Sequence, residues 1–149
     1  MAGSLKNTAE TALLNLIFKN TAWTGIGDAG GLLPSVGTGN LYVALYTAAP
    51  SDAAQGTECV YTGYARKAVA RGAGFTVAGN TVSNAAAVTF DPCTALVSQA
   101  IAFAYCASDV EGTDDAILWG DITTPPAGLT ISVGISSNFA IGVLTVTAD

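Results

Sequence analysis

The chain has 149 residues, half of them hydrophobic and 11% charged, with five Lys and Arg against eleven Asp and Glu and no histidine. This length suits one compact domain over residues 1–149, and so little charge, against about 25% in ordinary soluble domains, points to a surface partly covered by neighbouring subunits. The net charge of −6 disfavours nucleic acid as a partner, and the missing histidine removes the commonest general base and metal ligand at once.

The first element is a helix over about residues 7–20. Asn7 is placed to cap it, with Glu10 reaching back as in a capping box. Ala9, Leu13, Leu16 and Ile17 line one face, widened by Leu14 and Phe18. A helix this apolar must lie on a core or on another subunit. Trp23 then leads into "TGIGDAGGLLPSVGTGN", a Gly-rich loop over about residues 24–40 that suits neither helix nor strand. Loops of this length are often functional.

From residue 41 to about 147 the pattern is that of a β domain. "LYVALYT" puts Leu41, Val43 and Leu45 on one side and Tyr42, Ala44 and Tyr46 on the other, a strand apolar on both faces that belongs inside. "YTGYARKAVARG" follows, holding Arg66, Lys67 and Arg71, three of the five basic residues. On a strand, Tyr64 and Arg66 share one face while Lys67 and Arg71 share the other. Charge on both faces suits an edge strand, where cations discourage random pairing and select one protein partner. "FTVAGNTVSN" is a hairpin turning at Gly79-Asn80. Further strands are expected at 87–90, 97–106, 116–122, 129–135 and 139–147, about eight in all, giving a mainly β fold, an antiparallel sandwich or barrel of jelly-roll type.

The densest acidic feature is "SDVEGTDD", with Asp109, Glu111, Asp114 and Asp115. It reads first as a solvated acidic loop, and it is the one pool of counter-charge large enough for the basic cluster, from the same chain or a neighbour. Calcium is the alternative, but the spacing misses the EF-hand pattern, whose glycine comes sixth, and no metal or cofactor is expected. Cys59, Cys93 and Cys106 show no metal-ligand spacing and are expected as buried free thiols. No nucleophile motif or phosphate loop stands out, so no catalytic residue is expected. No apolar run reaches the roughly 18 residues that cross a bilayer, and "MAGSLKNTAETALLNLIF" lacks the zones of a signal peptide. The expectation is a soluble protein of the cytoplasm with no membrane partner.

The order "ETALLNLIFKNTAW", "NLYVALYTAAP", "YTGYARKAVARG", "GFTVAGNTVSNAAAVTF" and "AILWGDI" resembles a family of small structural proteins of tailed bacteriophages, some labelled tail-fibre-like and others head-decoration or cement proteins. The resemblance implies a non-enzymatic virion part assembled in a bacterial cytoplasm. The absence of shaft-like repeats tilts the reading towards a cement protein bound over joints of the major capsid protein and to copies of itself, as a homo-oligomer. Leu13, Ile17 and Trp23 join the charged residues as expected interface positions. Neutralising Arg66, Lys67 and Arg71 together is expected to spare the fold and weaken assembly. The alternatives are a tail-fibre protein and a soluble carbohydrate-binding sandwich, in which Trp23 and Trp119 would stack on sugar rings.

Overall fold

The computed structural model describes residues 5–28, 30–111, 115–123 and 128–148. Within them one helix, α1 (Asn7–Phe18), precedes the strands β1 (Asn40–Ala48), β2 (Thr57–Glu58), β3 (Lys67–Ala70), β4 (Phe75–Ala78), β5 (Thr81–Asn84), β6 (Val88–Thr89), β7 (Ser98–Ala100), β8 (Ala102–Cys106), β9 (Ala116–Asp121), β10 (Leu129–Ile131), β11 (Asn138–Phe139) and β12 (Thr145–Thr147). Every pairing between these strands is antiparallel, and the sheets stay open, so the fold is a sandwich and not a barrel.

The interior position expected of "LYVALYT" is the one it takes. On one side of β1 lies β8, with β9 beyond it; on the other, β3 and β2 follow one another along its length. Leu41, Val43 and Leu45 join Phe103 and Tyr105 in the main core, while Ala44, Tyr46, Ala102, Ala104 and Cys106 form a second cluster on the opposite face. A second sheet, ordered β12-β5-β4, closes the main core with Phe75, Val82 and Val146. Its β4–β5 hairpin turns at Gly79-Asn80, with Gly79 at φ +62°.

The helix differs from expectation in two respects. Lys6, not Asn7, precedes it, in extended conformation and with no side-chain cap, so the capping box does not form. Glu10 instead turns inwards with Leu14 and Phe18, leaving Leu13 and Ile17 half-buried. The larger side chain decides the rotation. Phe18 packs edge-on against Phe75 at 5.0 Å and Tyr105 at 5.3 Å, and burying such rings outweighs the cost of drawing the Glu10 carboxyl group inside.

Two expected strands are divided. The stretch 97–106 breaks at Ile101, because β7 pairs with β10 while β8 belongs to the large sheet. The stretch 139–147 breaks at Gly142, whose N–H donates to the Asn84 carbonyl. The fully buried Asn84 amide holds that bend, donating to Ala86 O and Ala140 O at 2.8 Å each and accepting from Leu144 N at 3.0 Å. The strand expected at 129–135 ends at Ile131, and Gly134 turns the chain at φ +82°.

Candidate functional site

The three clustered cations have three separate tasks, each inside the chain. A turn sets this up: Tyr64 N donates to Tyr61 O, and Gly63 takes φ +99°. The chain is therefore not extended through residues 61–66, and the expected alternation of faces starts only at Lys67.

Arg66 is not a rim cation. Its side chain is 2% exposed, and its guanidinium lies between Glu58 at the end of β2 and Asp115 just before β9. Nε donates to Glu58 Oε1 at 3.0 Å, and Nη2 donates to Glu58 Oε2 at 2.8 Å. Nη1 donates to Ser108 O at 2.9 Å and to Asp115 Oδ2; Nη2 also reaches Asp115 Oδ1 at 3.3 Å. All five guanidinium donors are thus used. Glu58 also accepts from Tyr64 Oη at 2.5 Å, and Asp115 accepts from Gln55 Nε2 at 2.6 Å and Ser108 Oγ at 2.7 Å.

Burial disfavours the guanidinium's charge, but the hydrogen bonds to Glu58 and Asp115 outweigh it and leave the group more firmly protonated than usual. Burial likewise acts against the Asp115 carboxylate, yet its bonds from Arg66 and Ser108 hold it below the ordinary carboxylate range. Nearby, burial pushes the Cys106 thiol up to about 11. The network ties β2, the start of β3 and the start of β9 together.

Lys67 makes a surface ion pair with Asp91 Oδ2 at 2.6 Å. Arg71 closes the C-terminal end of α1: Nε donates to Ile17 O at 2.5 Å and Nη2 to Leu16 O at 2.7 Å, while Nη1 reaches Ser35 Oγ at 3.1 Å. These are carbonyls that a helix end leaves unsatisfied. Gly72 N adds a bond to Phe18 O at 2.8 Å. The expectation that neutralising all three cations spares the fold is corrected accordingly, since two of them hold elements together.

Of the acidic loop, Asp109 and Glu111 are exposed, Asp115 belongs to the network, and Asp114 lies outside the described residues. Among the described residues no group of three or more Cys, Asp or Glu side chains is arranged to hold a metal ion. The three cysteines are buried and free. Among the described residues no helix is long and apolar enough to cross a membrane. Glu58 is the residue that sequence reasoning missed. It is the lone carboxylate between Asp52 and Asp91, set in the otherwise uncharged "TECVYTGYA" eight positions before Arg66, and that isolation was the available signal.

Trp23 is half-buried and bridges to Leu32, the two exchanging backbone hydrogen bonds of 3.0 Å. Gly31 makes the bridge possible, because a Cβ there would meet Trp23 O at 2.1 Å. Asn20 clasps the same loop through Ser35, donating to its carbonyl at 3.0 Å and accepting from its N–H at 2.9 Å. Trp119 packs against the second core cluster.

Apolar side chains stand outside. Leu33 and Val36 project from the Gly-rich loop, and a second exposed set gathers on adjacent turns, Leu96 and Val97 on one and Val133 and Ile135 on the other. Cys93 joins those turns, its N–H donating to Ile135 O at 3.2 Å and its carbonyl accepting from Gly134 N at 2.8 Å. Leu96 is 70% exposed and held at φ +61°, a conformation costly for a bulky residue.

Fold and contacts together define a small open β-sandwich protein whose buried charges are paired mostly within the chain and which, besides its apolar core, exposes several large apolar side chains on loops. Residues 4–147 match the family model described as Podophage GP4 fiber I protein gp80, and the chain belongs to that family. The resemblance to structural proteins of tailed phages therefore holds at the level of a phage structural family. A search of curated proteins returned no match.

Proposed function

We propose that the chain is a non-enzymatic structural subunit of a phage virion, built into or onto a fibre, and that it packs against neighbouring chains through its exposed apolar turns. The family description supports the fibre placement. The observation that carries the packing role is the patch at Leu96, Val97, Val133 and Ile135. Four large aliphatic side chains in water, one on a strained backbone, are poor surface for an isolated monomer and good surface for an interface.

Immunogold labelling of intact virions tests the placement. Label along the tail fibres supports the fibre reading, and virions without label would refute both virion readings. Label spread over the head would move the protein to the capsid, with the major capsid protein as partner. That second reading is favoured by the sequence, which shows no repeat of the kind that builds a fibrous shaft.

A further inference from the structure

Glu10 sits where a carboxylate is costly. It lies on the inward face of α1, is 4% exposed, and its Oε2 is buried with no hydrogen-bond partner. Beside it opens a groove of about 630 Å3, walled by Leu13 and Ile17 of α1, Leu118 and Trp119 of β9, and Val146 of β12, with the exposed Asp52 at its rim. Residues from both faces of β9 line it. Leu118 stands opposite Tyr105 of the main core, whereas Trp119 stands opposite Ala104 of the second cluster. The groove therefore follows the outer edge of β9, which among the described residues has β8 as its one bonded neighbour.

We propose that this α1–β9 groove is a docking site for a lysine or arginine side chain carried by a segment of a different protein, with its aliphatic stem along Leu118, Val146 and Trp119 and its cationic head at Glu10. The shape suits such a side chain, whose stem packs on apolar and aromatic surface while the head seeks an anion.

Charge complementarity selects the occupant. Four of the chain's five cations are engaged internally: Lys19 donates to Gly72 O and Phe75 O at 2.6 and 2.9 Å, and Arg66, Lys67 and Arg71 are held as described. Only Lys6 remains, and a second copy would bring a net charge of −6 against an acidic groove. The cation comes from a different protein.

An NMR titration of the full chain with n-hexylamine, a lysine side-chain mimic, tests the site, with n-hexanol as the uncharged control. The amine is expected to shift the Trp119 indole resonance and to bind about tenfold more tightly than the alcohol, the margin of one charge-assisted hydrogen bond. Glu10→Gln should lower amine affinity to that of the alcohol while leaving the melting temperature unchanged or higher. Equal binding of the two probes to the unaltered chain, or shifts that bypass Trp119, overturns the proposal even if Glu10→Gln fails to fold. Sedimentation showing a dimer that Glu10→Gln or Lys6→Gln dissolves would overturn it too, assigning the groove to a second copy. Amine binding that tightens tenfold or more on deletion of residues 1–4 would assign it to the chain's own start.

Discussion

Replacing Arg66 with alanine should be among the most damaging single changes in this chain. Glu58 is 5% exposed and would keep only the Tyr64 hydroxyl as partner. Asp115, with 11% of its side chain exposed, retains Ser108 and Gln55 and can recover some hydration. The uncompensated charge falls mainly on Glu58, and removing one partner of a buried pair costs about 3–5 kcal/mol. A domain this size has roughly 7–15 kcal/mol of stability at about 0.05–0.15 kcal/mol per residue, so the loss is a fifth or more of the whole. At about 2–4 °C per kcal/mol the melting temperature should fall by roughly 6–20 °C. Urea unfolding of Arg66→Ala, Glu58→Gln and the double variant gives the coupling energy directly. A loss below about 1 kcal/mol, or two single effects that simply add, would refute the buried network and return Arg66 to the surface.

Asp115 predicts the acid limb of the stability curve. Its folded-state pKa is depressed, so its contribution is present above its unfolded value of about 3.9 and disappears as pH falls through the lower folded value; Asp115→Asn should flatten that limb in urea titrations between pH 5 and 2. Arg71→Gln should cost about 1.5–3 kcal/mol through bonds to helix-end carbonyls, and hydrogen exchange should quicken first at the C-terminal turn of α1. Lys67→Ala, by contrast, removes a pair with one partner 61% exposed, and denaturant midpoints should report a change within about 1 kcal/mol that added salt erases. Cys106, buried with its thiol pushed up to about 11, should resist a thiol reagent at neutral pH until the protein is unfolded.

Periodicity carried what depends on local pattern. The two-faced apolar run of β1 dictated an interior strand, and the Gly79-Asn80 pair dictated a hairpin; both are set by residues close in sequence. The helix was legible as a helix, yet its orientation was not, because Phe18 is fixed by Phe75 and Tyr105, far along the chain. The breaks at Ile101 and Gly142 were hidden for the same reason: one comes from a strand changing sheets, the other from the buried Asn84 amide. Part of the basic cluster's counter-charge was visible in "SDVEGTDD". Its other partner, Glu58, was marked only by its isolation in an uncharged stretch, and isolation alone does not say that a carboxylate is buried.

The placement of charge bears on how the proposed virion subunit would hold its neighbours. Exposed carboxylates remain at Asp28, Asp52, Asp109, Glu111 and Asp121, whereas Lys6 is the one basic side chain among the described residues without a hydrogen bond or ion pair. A surface of that kind gives copies of the chain few complementary ion pairs with one another, and their mutual repulsion is screened within about 8 Å at physiological ionic strength. Apolar turns such as Leu96–Val97 then supply attraction that salt does not weaken. Electrostatic selection is left to partners that bring their own cations, and the unpaired Glu10 beside the β9 edge is the point at which the fold has kept a carboxylate for one.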